Sequence, residues 1–234
     1  MQIKDAKVIL TGGSTGIGYA TAKLLKEQGA DVFICARNAK DVQKAISELG
    51  IKGTTADISN EVDVKNLFEK ALQEMGGINV VINNAGIGSF GALVDTSVKD
   101  FTKVWEVNVK GAFMVGKEAA KHFQKENTGN IINIASTASQ KGFANGTAYC
   151  SSKFALAAMT ECWRAELRKH NVRVMQVNPS EVVTPFFDKV GATQDKENES
   201  KLQGTEIAHT IVSLLSMNDV GFITDATVWA TNPK

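Results

Sequence analysis

One stretch near the start of the chain decides the fold: Lys7-Val8-Ile9-Leu10-Thr11-Gly12-Gly13-Ser14-Thr15-Gly16-Ile17-Gly18. The apolar run Lys7–Leu10 predicts a buried strand, and the apolar periodicity of Ile17–Gln28 predicts a helix. The glycines between them permit a tight turn, and the helix N-terminus offers free N–H groups and a positive dipole end. A connector that only turns the chain is the alternative. The strand–loop–helix context favours binding of a dinucleotide pyrophosphate.

Strand-like runs and helix-period segments alternate along the rest of the chain. The strands are short and nearly continuously apolar, which is typical of parallel strands buried on both faces. The alternation predicts an α/β fold, a doubly wound (Rossmann-type) parallel sheet of about seven strands with helices on both faces, in a single domain over residues 1–234. The predicted strands are Lys7–Leu10, Asp31–Cys35, Lys52–Ala56, Asn79–Ile82, Asn130–Ile134, Arg173–Val177 and Thr227–Ala230. The predicted helices are Ile17–Gln28, Ala39–Leu49, Glu61–Met75, Val98–Gln124, Ala148–Lys169 and Glu206–Met217.

A polar, charge-rich stretch interrupts this alternation between Pro185 and Gly204, with Phe186 and Phe187 at its start. A long polar insertion in a compact domain forms either a functional lid or a flexible loop, and both interpretations stay open. The segment 185–204 is the predicted substrate loop.

Composition argues against several classes of function. The 234 residues include 26 Lys and Arg against 25 Asp and Glu, a net charge of +1, which gives no reason to expect nucleic-acid or membrane partners. No apolar run is long enough for a membrane helix, and Met1–Asp5 leads into a strand without a secretory signal. Three widely spaced cysteines and three scattered histidines predict a reduced, cytoplasmic protein without a metal site.

A second constellation combines Tyr149, Lys153 and Ser136. Tyr149 and Lys153 are four residues apart on a predicted helix and so share a face, while Ser136 lies thirteen residues upstream of the tyrosine. A phenol holds its proton until pH about 10, and a positive charge about 4 Å away could lower its pKa by about three units, roughly 4 kcal/mol. Two surface residues on one helix are the alternative.

Together these motifs resemble the short-chain dehydrogenase/reductase family, in its compact single-domain branch. The glycine spacing Gly-x-x-x-Gly-x-Gly is similar to that of the family, and the resemblance spans nearly the whole chain. The other motifs follow in the family's order: Asn83-Asn84-Ala85-Gly86, Asn108, Ser136, Tyr149 with Lys153, and Asn178-Pro179 at the end of the sixth strand.

The resemblance implies roles for four catalytic residues. Tyr149 is the general acid in carbonyl reduction and the general base in alcohol oxidation, and Lys153 lowers its pKa and binds the nicotinamide ribose. Ser136 donates a hydrogen bond to the substrate oxygen, where negative charge develops. Asn108 resembles the residue that holds a water in a proton relay to Lys153; a helix side chain bonded to its own backbone is the alternative.

The resemblance also implies a nicotinamide cofactor, and NADP(H) is favoured over NAD(H). The position of the acid that selects NAD is occupied by Ala36, and Arg37 beside it can pair with a 2′-phosphate, although a solvated arginine at a strand end is the alternative. Asp57 resembles the aspartate that meets the adenine amino group, or belongs to a helix N-cap. The implied cofactor-binding residues are Gly12, Ser14, Thr15, Gly16, Ile17, Gly18, Arg37, Asn38, Asp57, Ile58, Asn84, Ala85, Gly86, Tyr149, Lys153, Pro179, Val182 and Thr184.

Ser180 departs from the family pattern, which commonly has glycine after the proline. A serine requires negative φ, which would reshape the loop that carries Val182 and Thr184.

The predicted substrate wall is apolar or hydroxylic, which favours a neutral or acyl-type carbonyl over a small acid. In length and motif order the chain resembles bacterial β-ketoacyl-acyl-carrier-protein reductases, but Thr15 replaces their usual arginine and the C-terminus lacks their glycine pair. We therefore expect a carbonyl reductase acting on ketones or acyl thioesters. An NAD-dependent secondary-alcohol or hydroxy-acid dehydrogenase and a non-catalytic nucleotide-binding sensor are the alternatives. The wall residues are Gly88, Ser89, Phe90, Thr137, Ala138, Phe143, Phe186 and Phe187.

The resemblance further implies a homodimer or homotetramer that pairs the helices Val98–Gln124 and Ala148–Lys169. Apolar side chains on these helices are available for the interface, although some of them must face the sheet. They are Phe113, Met114, Phe154, Ala157, Ala158, Met159 and Trp163.

Overall fold

The computed structural model describes residues 1–188 and 200–232, with the backbone alone described for residues 187 and 188. Seven strands form one sheet in the order β3-β2-β1-β4-β5-β6-β7, and every neighbouring pair is parallel. This confirms the predicted fold class. The strands are β1 Lys7–Thr11, β2 Asp31–Ala36, β3 Lys52–Thr55, β4 Val80–Asn83, β5 Gly129–Ile134, β6 Val172–Pro179 and β7 Asp225–Val228.

Helices cover both faces of the sheet because each central strand is apolar on both sides. In β1, Val8 and Leu10 belong to one apolar layer and Ile9 to the other, and all three are fully buried. The first layer is covered by α1, α2 and α8, and the second by α3, α5 and α6. The helices are α1 Gly16–Glu27, α2 Ala39–Leu49, α3 Glu61–Met75, α4 Val98–Trp105, α5 Ala112–Glu126, α6 Thr147–Leu167, α7 Pro185–Asp188 and α8 Gly204–Ser216.

The single helix predicted over Val98–Gln124 is wrong in one respect. A π-helical turn, Glu106–Gly111, separates α4 from α5. Apolar periodicity does not reveal such a turn, because a single π-helical turn inside an α-helix changes the spacing of only a few residues. Asn108 lies in this turn and is 1% exposed.

The last strand begins earlier than predicted. It spans Asp225–Val228 rather than Thr227–Ala230, because its register is set by pairing with Gln176–Pro179 at the end of β6. The amide of Ser180 donates to the Val228 carbonyl at 2.9 Å, which completes this pairing.

Two of the side chains predicted for a subunit interface pack against the second apolar layer, as some of them must. Met114 is 8% exposed and packs in the second apolar layer, and Trp163 packs against the same layer. Phe113 and Phe154 are each 45% exposed. Periodicity alone could not separate the two faces, since both are apolar.

The predicted substrate loop is described only at its ends. It begins with α7, and at its other end Leu202 forms a parallel bridge with Val182, while the Val183 amide donates to the Leu202 carbonyl at 2.8 Å. The lid prediction for residues 189–199 lies outside the described residues. Across the two described ranges, no helix is long and apolar enough to cross a membrane.

Candidate active site

One cavity of about 850 Å³ runs along the ends of the central strands. It collects most of the residues that the sequence predicts for cofactor, catalysis and substrate. Within the described part of the chain, Gly18, Asn108 and Ser89 do not line it, and the Phe187 side chain is outside the described residues. The predicted residues that do line it are Gly12, Ser14, Thr15, Gly16, Ile17, Arg37, Asn38, Asp57, Ile58, Asn84, Ala85, Gly86, Gly88, Phe90, Ser136, Thr137, Ala138, Phe143, Tyr149, Lys153, Pro179, Val182, Thr184 and Phe186.

The glycine loop forms a cradle in which side chains have no room. Gly12 has φ +65°, and a Cβ there would lie 2.9 Å from the Ala85 Cα. A Cβ on Gly18 would clash with the Gly12 carbonyl oxygen, so this glycine packs α1 against the loop instead of lining the cavity. The glycines therefore leave the backbone open to a bulky ligand, as a pyrophosphate requires.

The start of α1 supplies donors to this cradle. Thr15 precedes the helix in extended conformation, and no side-chain cap from Thr15 is present in the described structure. The first N–H groups of a helix have no intrahelical acceptor, and Gly16 and Ile17 line the cavity. These groups fit an anionic pyrophosphate.

Asn84 braces the glycine loop, a role that the sequence did not reveal. Its side-chain Nδ2 donates to the carbonyl oxygens of Thr11 and Gly12, both at 3.0 Å. The Thr11 hydroxyl in turn accepts from the amides of Asn84 and Ala85 at 3.1 Å. The asparagine that follows β4 thus fixes the loop that follows β1, so its amide positions the cradle as well as lining it.

The end of β2 carries the charges that bear on cofactor selection. Arg37 is exposed and lines the cavity. Asn38 caps α2, because its Oδ1 accepts from the amides of Lys40 and Asp41 at 3.0 and 3.4 Å. Only the amide nitrogen of Asn38 can donate to a phosphate, and the cap leaves that nitrogen unused among the described contacts. Asp41 also lines the cavity, and sequence reasoning missed it.

Asp57 is held beside two cations. Its Oδ1 accepts from the Ser59 amide at 2.9 Å and the Ser59 hydroxyl at 2.7 Å, whereas Asn60 is the N-cap of α3. Burial raises the pKa of Asp57, but the Ser59 hydrogen bonds and the charges of Arg37 and Lys103 outweigh it and lower the pKa overall. Lys103 of α4 also lines the cavity and was not predicted.

Tyr149 and Lys153 share one face of α6, as predicted, and both line the cavity. The Lys153 Nζ lies 5.7 Å from the centroid of the Tyr149 ring and donates to the Ile134 carbonyl at 2.9 Å. Ser136 follows β5, where its Oγ accepts from the Ala138 amide at 3.1 Å and donates to the Pro179 carbonyl at 3.4 Å. The sequence-predicted triad is thus assembled in space.

The expectation that Lys153 lowers the pKa of Tyr149 is wrong for the protein without its cofactor. Burial raises the pKa of Tyr149 to about 12, and a hydrogen bond with Ser136 lowers it only in part. Burial also lowers the pKa of Lys153 to about 8, because an ammonium is costly where water is excluded. The phenol therefore keeps its proton at neutral pH and is ready to act as an acid.

Asn108 is a bracing residue with no hydrogen bond to its own backbone among the described contacts. Its Oδ1 accepts from the Ile87 amide, and its Nδ2 donates to the Ile87 carbonyl, both at 2.9 Å. The same Nδ2 donates to the Ser152 hydroxyl at 3.0 Å, and Ser152 donates to the Tyr149 carbonyl at 2.7 Å. The Oδ1 accepts one hydrogen bond and keeps a second lone pair, so the predicted water contact stays a prediction.

The loop after β6 reaches the glycine cradle. A Cβ on Gly16 would lie 3.2 Å from the Thr184 side chain, so the two segments are in close contact. Ser180 is absent from the positive-φ residues of the described chain, as a serine requires, and its amide bonds to β7. Thr184 still lines the cavity, so the serine does not move it away from the site.

Metal ions in proteins require a set of ligating side chains close together. No cluster of three or more His, Cys, Asp or Glu side chains suited to a metal occurs in residues 1–188 and 200–232. The polar groups that the predicted catalytic residues bring to the cavity are the hydroxyls of Ser136 and Tyr149 and the amino group of Lys153.

A sequence model of short chain dehydrogenases matches residues 6–195. The chain belongs to this family of oxidoreductases, which bind a nicotinamide cofactor.

Curated relatives are identical to this chain at about a third of the aligned residues. Sepiapterin reductase of Chlorobaculum tepidum is 33% identical over 195 residues, which cover 78% of this chain and 80% of that protein. The uncharacterized oxidoreductase YxnA of Bacillus subtilis is 32% identical over 84% of this chain, and the chain spans only 57% of its length.

Solved structures share the whole architecture. An alcohol dehydrogenase from the archaeon Thermococcus sibiricus, complexed with 5-hydroxy-NADP, superposes with a TM-score of 0.86 at 25% identity, and the match covers 96% of both chains. A single-residue variant of actinorhodin polyketide ketoreductase with NADPH superposes with a TM-score of 0.88 at 26% identity, and the match covers 98% of both chains.

Proposed function

We propose that this protein is an NADP(H)-dependent carbonyl reductase that converts a ketone to a secondary alcohol. One observation carries the proposal: Ser136, Tyr149 and Lys153 line the same cavity as the glycine cradle and Arg37. Bound there, the reduced nicotinamide would supply the hydride. The chain's own residues supply the proton, polarise the carbonyl and position the reactants.

Protonation favours reduction at neutral pH. Tyr149, with its pKa raised to about 12, holds a proton that it can give to the carbonyl oxygen as negative charge develops there. The Ser136 hydroxyl on the same cavity wall gives that oxygen a second hydrogen bond. Lys153, with its pKa lowered to about 8, can exchange a proton near neutrality and so replace the one that Tyr149 gives up.

The preference for NADP(H) rests on charge at the end of β2. Ala36 offers no acid to a ribose hydroxyl, and Arg37 lines the cavity where a 2′-phosphate would lie. The two related structures that contain NADP derivatives support the same preference. Asp41 on the same wall is the feature that favours the alternative, NAD(H).

The range of substrates and the assembly are parts of the same proposal. Ketones and acyl thioesters are the candidate substrates, in keeping with the names of the related sepiapterin and polyketide reductases. We further propose a cytoplasmic homodimer or homotetramer without nucleic-acid or membrane partners. The three cysteines are all unpaired thiols, as expected in a reducing compartment.

The two tyrosines of the chain provide a matched test of the proposed function. Turnover is measured as loss of reduced-nicotinamide absorbance with ketones, diketones and acetoacetyl thioesters. We expect Tyr149→Phe to lower kcat by about 10²–10⁴-fold, the usual contribution of a general acid, while the glycine cradle and Arg37 still bind the cofactor. Tyr19→Phe is the control, because Tyr19 bonds to Glu48 on the surface, away from the cavity.

Two results would contradict the proposal. Turnover of Tyr149→Phe equal to that of the wild type would remove the tyrosine from the reaction. Cofactor binding without turnover of any carbonyl would favour the non-catalytic sensor.

A further inference from the structure

Aromatic rings surround the reactive phenol. The Phe90 centroid lies 5.4 Å from that of Tyr149 with the planes at 58°, and the Phe186 centroid lies 5.7 Å from it at 54°. Phe143 extends this group, with its centroid 6.1 Å from that of Phe90. The aromatic clamp, defined as Phe90, Phe143 and Phe186, therefore forms the wall around the proton donor, and all three rings line the cavity.

The backbone beside the clamp has no space for a side chain. A Cβ on Gly88 would lie 2.8 Å from the Phe186 Cζ and 2.9 Å from the Phe90 Cε2. Glycine at this position thus lets a ring from the loop after β4 approach a ring from α7. Phe143 is 53% exposed, so the outer end of the clamp is open to an incoming molecule.

The positively charged side chains along the described cavity wall already interact with other groups. The lining cations in the described residues are Arg37 and Lys103, which act on Asp57, and Lys153, which bonds to the Ile134 carbonyl. The loop after β6 contributes Glu181, whose carboxylate lies 3.0 Å from the Lys201 ammonium. Each cation of the described lining thus already interacts with another group, and a substrate carboxylate would have to compete with those partners.

We propose that the substrate is an aryl ketone, with the carbonyl attached to an aromatic ring and no negative charge beside it. The inference rests on the proposed function and names the substrate class of that same site. The substrate ring packs among Phe90, Phe143 and Phe186 at offset or tilted angles, the geometry that aromatic pairs favour. Its carbonyl oxygen then reaches Ser136 and Tyr149.

The reaction balances without a further reactant. The carbonyl carbon accepts a hydride from the reduced nicotinamide nucleotide, and the carbonyl oxygen takes the proton of Tyr149. The C=O double bond becomes CH–OH, and the nicotinamide is oxidised by two electrons. Lys153 and solvent restore the proton of the tyrosine.

Three related substrates separate the effect of an aromatic ring on turnover from the effect of a negative charge. Ethyl benzoylformate carries the ring and no charge, benzoylformate carries the same ring with a carboxylate, and ethyl pyruvate carries the ester without the ring. We expect kcat/KM for ethyl benzoylformate to exceed that for benzoylformate by about tenfold or more, because every cation of the described lining already interacts with another group. An equal or higher value for benzoylformate would overturn the charge part of the proposal.

Ring-to-alkyl variants test the clamp. Phe90→Leu and Phe186→Leu keep an apolar side chain and remove the ring. We expect each to lower the ratio of kcat/KM for ethyl benzoylformate to that for ethyl pyruvate by about two- to tenfold, the factor that an aromatic pair contributes. Phe101→Leu is the control, because Phe101 stacks on Trp105 outside the cavity.

Residual activity distinguishes the possible failures. Retained turnover of ethyl pyruvate shows that a variant is folded. If one of the two variants fails to fold, the other still tests the inference. An unchanged ratio in both variants would overturn the aryl-ketone inference while carbonyl reduction stands. Absence of turnover with all three ketones and the wider carbonyl panel would overturn the proposed function itself, which Tyr149→Phe tests separately.

Discussion

Lys153 is the residue on which the electrostatics of the site depend. It is 5% exposed, and burial lowers its pKa to about 8. An unfolded lysine has a pKa of about 10.4, so the folded protein carries this charge at a cost. The benefit is a proton exchanger that works near neutral pH, next to a phenol that burial keeps protonated.

The sign of the pH dependence follows from these two values. Between the folded pKa of about 8 and the unfolded pKa of about 10.4, the unfolded state holds a proton that the folded state has released. Stability attributable to Lys153 therefore rises with pH in this window. Tyr149 does not interfere below pH about 9.5, since it stays protonated in both states.

Lys153→Met should make this visible in unfolding experiments. The free energy of unfolding of the variant minus that of the wild type should decrease by about 2 kcal/mol between pH 7 and 9.5, at about 1.36 kcal/mol per pKa unit. Urea unfolding at several pH values measures the difference, and Lys99→Met on the exposed side of α4 is the control. A difference independent of pH would mean that Lys153 is not desolvated.

The corner between β2 and α2 is the element that should select the cofactor. It combines Arg37, the Asn38 cap and Asp41, one cation and one carboxylate on the same wall. A guanidinium pairs with a phosphate in fork geometry, whereas a carboxylate repels it. The helix N-terminus of α2 adds a positive dipole end at the same corner.

Arg37→Ala should raise the Kd of NADPH by about 10- to 100-fold, the range of a hydrogen-bonded charge, and leave that of NADH nearly unchanged. Asp41→Asn should shift preference further toward NADPH. Fluorescence titration measures both affinities, with Lys40→Ala on the exposed first turn of α2 as the control. Equal wild-type affinity for NADH and NADPH, unaltered by Arg37→Ala, would show that this corner does not read the phosphate.

The π-helical turn is a second element with a consequence for the site. It holds Asn108 where the side chain binds both backbone groups of Ile87 and reaches Ser152 beneath Tyr149. The turn thereby ties the loop after β4 to the helix that carries the catalytic pair. These three hydrogen bonds of the Asn108 side chain hold the loop and the helix in register.

At the scale of the whole molecule, apolar side chains remain exposed on the two long helices. Phe113 of α5 and Phe154 of α6 are each 45% exposed, and Ala158 lies one turn beyond Phe154 and is also exposed. Isolated apolar residues are common on surfaces, but exposed rings on two helices that the family resemblance pairs between subunits are the side chains that we expect a second copy to cover.

A homodimer or homotetramer is the expected state in light scattering. Phe154→Glu should lower the mass toward that of the 25.1 kDa monomer, because an interface would bury the new charge without a partner. Val62→Glu is the control, since Val62 is 62% exposed on α3 and lies on a different helix. A monomeric wild type would refute the assembly.

Local patterns in the sequence determined the features that lie within one element or one connection. The apolar strands predicted a sheet buried on both faces, the glycine spacing predicted a cradle between β1 and α1, and the interval between Tyr149 and Lys153 predicted a shared helix face. Each depends on residues close together in the chain, where geometry is set by the period of the element.

The tertiary structure alone decided which distant groups meet and how deeply they are buried. It directed the Asn84 amide to the glycine loop, set the tilted packing of Phe90 and Phe186 on the Tyr149 ring, and bound Asn108 to Ile87. It also reversed the expected pKa of Tyr149, because spacing predicts that a cation is near but not that water is excluded. Desolvation depends on the atoms packed around a group, and most of those come from remote parts of the chain.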